Sequence, residues 1–173
     1  QKSFKLSLDQ FLEKRGASTI VSQGRKLKAA NAKLFAQLEK RYGVPAGPLI
    51  AIWGMETAFG RFMGSQNTVS AVATLAYDCR RTEFFQEQLI AALKLVDRGV
   101  LSSGSKGAMH GELGQTQFLP KNVFLYGADG DGGGINLNSK ADALASTAKF
   151  LRGHGWAAGS GYQPGQPNFG AIQ

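Results

Sequence analysis

Glu56 is a carboxylate on a surface where a helix would bury carbon. At helical spacing its neighbours are Leu49, Ile52, Trp53 and Phe59, which form one apolar stripe with Glu56 on it. A charged carboxylate there is expensive to desolvate. Its pKa is therefore expected to be raised, favouring the neutral acid. A neutral acid that can donate a proton is what cleavage of a glycosidic bond requires, because the leaving oxygen must be protonated. The competing reading is a Glu at a frayed helix end whose carboxylate reaches water past its neighbours.

The second chemical feature is Gly111-Glu-Leu-Gly-Gln-Thr-Gln-Phe-Leu-Pro120. Its glutamines and Thr offer donors and acceptors beside an aromatic ring, a surface suited to sugar hydroxyls. The plainer reading is a polar loop leading into a helix that starts at Pro120. His110 and His154 lack zinc-ligand spacing and Cys79 is the sole cysteine, which argues against zinc. Cys79 reads as a small buried apolar residue, and a disulfide within the chain is excluded.

Helices must position these groups. Leu6, Leu8, Phe11 and Leu12 suit a short amphipathic helix ended by Gly16. Leu27, Ala30, Leu34, Leu38 and Tyr42 predict one helix that Gly43 stops. Val44-Pro45 opens the helix that carries Glu56 through Phe59, with Gly60 as its stop. Further helices are expected over Thr68–Tyr77, Glu83–Arg98 and Phe118–Tyr126. Ser139-Lys-Ala-Asp142 reads as a capping box opening a last helix to about Arg152. No series of alternating strand patterns occurs. The fold class is therefore mainly α, with long Gly-rich loops: 15 of the 23 glycines fall in the last 73 residues.

Composition narrows the function class. The chain has 173 residues, 43% hydrophobic and 18% charged, enough for a packed core and unlike a disordered chain. No apolar run approaches the roughly 18 residues of a membrane span. The net charge of +8 suits a polyanionic partner. Residues 1–44 hold ten basic and three acidic residues, a net +7, which leaves +1 for the rest. The basic excess thus belongs to the N-terminal helices, as an aid to holding an anionic surface or as a solvated face. No zinc finger, RNA-recognition motif or arginine-rich helix supports nucleic-acid binding. Gln1 in place of Met leaves a cleaved signal peptide and a trimmed chain equally open.

Tyr42-Gly-Val-Pro45 followed by Ile52-Trp-Gly-Met-Glu-Thr-Ala-Phe-Gly60 resembles the catalytic-helix motif of the B-type lytic murein transglycosylases, glycoside hydrolase family 103. Ala73-Thr-Leu-Ala-Tyr77, Arg80-Arg-Thr-Glu-Phe-Phe85, Gly114-Gln-Thr-Gln-Phe-Leu-Pro120 and His154-Gly-Trp156 resemble later motifs of that family, in its order. The resemblance covers roughly 24–173. A division follows, with 1–23 as a basic helical segment and 24–173 as the catalytic domain. The resemblance implies a lysozyme-like helical fold and action on peptidoglycan glycan strands in the periplasm. It also implies cleavage of the bond between N-acetylmuramic acid and N-acetylglucosamine without water, leaving a 1,6-anhydro end. Glu56 would be the one catalytic carboxylate, acid then base. No cofactor is required, and a monomer is expected.

Carried over by position, Gln117 matches the family's active-site Gln. Arg80 and Arg81 match basic residues near the cleft, suited to carboxylates of the glycan's peptide stems, or form a solvated turn. Phe118, Phe84 and Phe150 stand where groove aromatics occur, or belong to the core. Two departures stand out. Gly107-Ala108 replaces a frequent Gly-Ser, so that Ala108 cannot bond Glu56 through its side chain. The chain also stops at Asn168-Phe-Gly-Ala-Ile-Gln173, before a further Asn-containing segment, which suggests truncation. Asp129-Gly-Asp-Gly-Gly-Gly134 resembles a calcium loop, and some members bind a cation here. Asp129 and Asp131 fill the first and third positions, but Lys140 stands at the twelfth. Asp142 could substitute, and a plain Gly turn is the alternative. Two other functions remain: a hydrolytic muramidase using Glu112 or Asp78 as second carboxylate, and a peptidoglycan-binding module without catalysis.

Overall fold

The computed structural model describes residues 7–14, 16–78 and 80–172. The expectations for Leu6 and Cys79 lie outside these residues, as does the placement of the Leu8 side chain. The protein is mainly α-helical and lysozyme-like.

Helix α1 (Leu8–Lys14) opens on a true capping box. Ser7 Oγ accepts from Gln10 N–H at 3.2 Å, and Gln10 Oε1 accepts from Ser7 N–H at 3.0 Å. The single helix expected through 27–42 is two, α2 (Ala17–Ala30) and α3 (Ala32–Tyr42). Asn31 divides them at φ −119°, ψ 27°, with its side-chain amide donating to Leu27 O at 2.9 Å. A short amide that bonds the carbonyl four residues back competes with the helical ladder. The division expected between residues 23 and 24 falls inside α2.

Helix α4 (Ala46–Thr57) carries Glu56. It ends two residues before the expected Phe59, because Ala58 and Phe59 both turn left-handed, at φ 48° and 63°. That conformation is disfavoured for any residue with a Cβ, so the surroundings must hold it. Then follow β1 (Gln66–Asn67), α5 (Thr68–Tyr77), α6 (Thr82–Asp97) and β2 (Lys106–Gly107), which pairs antiparallel with β1. The Asn67 side chain caps α5 by accepting from Ser70 N–H at 2.9 Å. Helices α7 (Pro120–Tyr126) and α8 (Lys140–Gly153) complete the set, with a 3-10 turn at Gly170–Ile172. No helix among the described residues is long and apolar enough to cross a membrane.

Helix α8 runs through the centre. Residues 142–148 are all buried, and their small side chains let neighbouring elements close around them. Leu144, Ala148 and Leu151 meet Phe35, Leu38, Leu49 and Trp53 in the main core. Ala143 joins Leu95, Leu113, Phe118, Val123 and Leu137 in a second cluster. The buried hydroxyls of α8 are bonded, as burial requires: Thr147 Oγ1 donates to Ala143 O at 2.7 Å, and Ser146 Oγ accepts from Ala128 N–H at 2.9 Å.

The capping box expected at Ser139 does not form. Ser139 makes no side-chain cap, and Asp142 faces away from it. The Asp142 carboxylate, 1% exposed, accepts from Gly130 N–H at 2.7 Å and Asn136 N–H at 2.8 Å. The loop's unsatisfied amides claim this acid, because a buried donor without a partner is costlier than an uncapped helix end in water.

Candidate active site

The loop expected to read sugar is a tight hairpin. Leu113 and Phe118 exchange both backbone hydrogen bonds at 2.9 Å, closing a loop over Gly114-Gln-Thr-Gln117. Gly114 sits at φ 79°, and a Cβ there would meet the carbonyl oxygen of Leu137 at 2.5 Å. Gln117 takes a left-handed φ of 56° although it is not glycine. Its amide donates to Gly114 O at 2.9 Å, which keeps the side chain over the loop and its carbonyl oxygen available as an acceptor. A non-glycine residue held in that region stores strain, which tends to occur where a side chain must be aimed.

This hairpin is locked to the end of α4. Trp53 Nε1 donates to Gln115 Oε1 at 2.7 Å, and Gln115 Nε2 donates to Asn138 O at 2.6 Å. Thr57, 1% exposed, donates from Oγ1 to Gln115 O at 2.6 Å and accepts from Gly60 N–H at 2.8 Å. The two bonds made by Thr57 hold the left-handed turn at Ala58 and Phe59 and set the hairpin beside Glu56. Neither role was read from the sequence. The signals present were an indole that needs an acceptor and a second Gln in the loop motif.

Glu56, Gln117, Phe118 and Phe150 line one cavity of about 270 Å³, with Ile52 and Asn122 among its walls. The expected stripe exists: Leu49 and Trp53 are buried and Ile52 is half-buried. Glu56 itself is exposed, so the expectation of a carboxylate desolvated by that stripe is not met. The reason is the early end of α4, which puts Glu56 in its last turn with the cavity open beside it. Phe118 is buried in the second core cluster and packs edge-on to Phe150, at 5.6 Å between centroids. Phe150 is half-buried and stacks on His154 at 4.0 Å. Both rings serve core and cavity at once. Asn168, fully buried, bonds Ala157 and Ser160 through its side chain and brings Ala171 and Ile172 to the cavity rim.

Arg80, Arg81 and Phe84 line a second cavity of about 460 Å³, together with Asp78, His110 and Glu112. Arg80 is not held ready for a ligand. It forks onto Asp78, with Nε–Oδ1 at 3.0 Å and Nη2–Oδ2 at 2.7 Å. That hydrogen-bonded guanidinium, the largest influence on the acid, holds the Asp78 pKa down at about 2, and Asp78 in turn raises that of Arg80. Arg81 stacks over the Phe84 ring at 4.5 Å and has no ion-pair partner among the described residues. The two carboxylates considered for a hydrolytic mechanism, Asp78 and Glu112, both face this second cavity. Glu56 is the sole carboxylate among the described residues lining the first. A third hollow, between α1, α2 and α4, is walled almost wholly by carbon and carries no acid or nucleophile.

Asp129, Asp131 and Asp142 each offer a carboxylate oxygen within 4.8 Å of the others. Asp129 already accepts from the N–H groups of Gly134, Gly132 and Asp131, and these bonds, Gly134 first, lower its pKa. Carboxylate oxygens have further lone pairs, so the hard oxygen set fits a calcium-like ion.

A family model described as the transglycosylase SLT domain matches residues 1–166. The chain belongs to this family. Membrane-bound lytic murein transglycosylase B of Escherichia coli (strain K12) is 36% identical over 137 residues, 73% of this chain and 38% of that protein. The structure of SltB3 from Pseudomonas aeruginosa in complex with NAG-anhNAM-pentapeptide is 40% identical with a TM-score of 0.85, over 92% of this chain and 43% of that one. Escherichia coli lytic transglycosylase Slt35 in complex with calcium is 30% identical with a TM-score of 0.81, over 87% of this chain and 50% of that one. The SLT domain described here therefore spans half or less of the length of these relatives.

Proposed function

We propose that this SLT domain is a lytic transglycosylase of the glycoside hydrolase family 103 type, acting on peptidoglycan strands in the periplasm. The observation that carries the reading is a cavity with one carboxylate, Glu56, beside the aimed side chain of Gln117. Hydrolysis with inversion or through a glycosyl-enzyme needs two carboxylates flanking the bond. A reaction in which the sugar supplies its own nucleophile needs one.

In this mechanism Glu56 gives its proton to the glycosidic oxygen as the bond from the muramyl anomeric carbon breaks. The N-acetylglucosamine leaves as an alcohol. The Glu56 carboxylate then takes the proton of the muramyl 6-hydroxyl while that oxygen attacks the anomeric carbon. The product is a 1,6-anhydro end, and Glu56 regains its proton without water entering. A glycan in the groove would cover the exposed carboxylate and exclude water, which strengthens the interactions within the site. Gln117 and Asn122 supply polar contacts to the sugars, and Phe150 a ring face. Arg81, rather than the paired Arg80, is the arginine available to a stem carboxylate. The domain needs no cofactor for this chemistry. A cation at Asp129, Asp131 and Asp142 would tie the 129–142 loop to α8 and supply structural order.

The relatives support the reading, since one of them was observed with an anhydro-sugar peptide ligand. The test is turnover of purified sacculi by the domain and by Glu56→Gln. Loss of general acid–base catalysis should lower the rate by about 10²–10⁴-fold. Equal release by both proteins would remove Glu56 from the role.

A further inference from the structure

The second cavity holds an electrostatic imbalance at Glu112. Its Oε2 atom is buried and has no hydrogen-bond donor among the described residues. The nearest ion-pair candidate is His110, with Nδ1 at 3.9 Å from Oε1, too long for a hydrogen bond. Arg80, the other cation with a partner in this cavity, is spent on Asp78. A carboxylate with a buried, undonated oxygen is costly to keep, and because the side chain is still 29% exposed, a cation entering the cavity can meet its accessible part and offset the charge shared with the buried Oε2.

The backbone presents Glu112 deliberately. Glu112 O accepts from Ala108 N–H at 2.7 Å, and Ala108 O accepts from Gly111 N–H at 3.1 Å. This tight turn fixes the position of the residue without using its side chain. In the wall of the same cavity, Arg81 sits over the Phe84 ring at 4.5 Å with no carboxylate partner among the described residues. Leu75, Phe84 and Leu119 add apolar wall to this cavity. An anion with only His110 within 4 Å among the described cationic side chains, and a cation with no ion-pair partner among them, thus face a cavity of about 460 Å³. The complement of that arrangement is a zwitterion: an ammonium for Glu112, a carboxylate for Arg81, and an alkyl stem between.

We propose that Glu112 is a specificity-determining residue that binds a free ammonium on the glycan-linked peptide, such as the side-chain amine of a diamino acid residue, while Arg81 takes a neighbouring carboxylate. This rests on the function proposed above. The pocket then favours strands whose peptides keep that amine free over strands in which it is acylated, because acylation removes the positive charge and leaves one N–H donor of the ammonium's three.

The test is calorimetric binding of two ligands to the intact chain. Both are N-acetylglucosaminyl-N-acetylmuramyl peptides containing one diamino acid residue, with its side-chain amine free in one and N-acetylated in the other. Each ends at muramic acid and so contains no bond of the cleaved type. The wild-type protein should bind the free amine about tenfold more tightly, as for one charge-assisted hydrogen bond. In Glu112→Gln the preference should fall to within about twofold. A structural role would weaken both ligands alike and keep their ratio, and that result would overturn the proposal. Equal affinities in the wild-type protein, or no binding of either ligand at millimolar concentration, would overturn it too. Release of anhydro ends from sacculi is a separate readout. If that fails while the ammonium preference stands, the function proposal is lost and Glu112 remains a peptide-reading residue of a non-catalytic module.

Discussion

Thr57→Val separates the positioning of the site from its chemistry. Valine keeps the shape of threonine and removes only the hydroxyl. That hydroxyl is 1% exposed, donates to Gln115 O at 2.6 Å and accepts from Gly60 N–H at 2.8 Å. Its loss leaves one carbonyl and one N–H without their partners. Each stranded buried group costs about 1–3 kcal/mol, so the pair should cost about 2–6 kcal/mol. That is a large share of a typical domain stability of about 5–15 kcal/mol. The left-handed turn at Ala58 and Phe59 loses its tie, and the hairpin bearing Gln117 loses its link to α4. With Glu56 and Gln117 both present but misplaced, kcat/KM should fall by about tenfold or more. Urea unfolding reads the first effect and sacculus turnover the second. Thr74→Val is the control, since that hydroxyl is exposed and bonds only Ser70 O within its own helix. It should stay within about 0.5 kcal/mol of the wild type. A stable Thr57→Val protein would refute the energetic argument. A destabilised one with unchanged kcat/KM would refute the claim that this lock positions the site.

Asp142→Asn leaves one oxygen to serve two amides, Gly130 N–H and Asn136 N–H. The expected loss is about 2–3 kcal/mol in urea with an unchanged m value, and a shift under about 0.5 kcal/mol would contradict the assignment. The Asp78–Arg80 pair gives a pH prediction. The folded Asp78 pKa lies at about 2, below its ordinary value, so the pair's contribution is complete above about pH 4 and lost as the pH falls toward about 2. Carboxyl NMR titration should place the Asp78 midpoint near 2, moving up in Arg80→Gln; an ordinary midpoint in the wild type would count against the pairing.

Periodicity made the helices legible where packing and local spacing agree. Residues 68–77 carry an N-cap Asn67, and α5 has the bounds its apolar spacing predicts. Asn31 shows the limit: the apolar positions of α2 and α3 stay in phase across it, while one side-chain amide breaks the ladder. Ser139 and Asp142 show another. The capping pattern is present, but Asp142 answers to amides of a loop that only the fold brings near. Ser7 and Gln10 had the same local pattern, and there the box forms, because nothing else competes for those groups. The stripe around Glu56 was readable, but its solvent exposure was not, since that depends on two left-handed residues at Ala58 and Phe59. The bonds from Trp53 and Thr57 to Gln115 span about sixty positions and leave no periodic trace. The same distance effect hid the separation of Glu56 from the arginines into two cavities.

The central claim is that one carboxylate cleaves the glycan without water. Digestion of purified sacculi in ¹⁸O-labelled water, with the released ends weighed by mass spectrometry, tests it most directly. The anhydro ends should be free of label and about 20 Da lighter than ends hydrolysed in that water, because the muramyl 6-hydroxyl takes the place of water. Reducing ends carrying ¹⁸O would contradict it and require a second catalytic group beside Glu56.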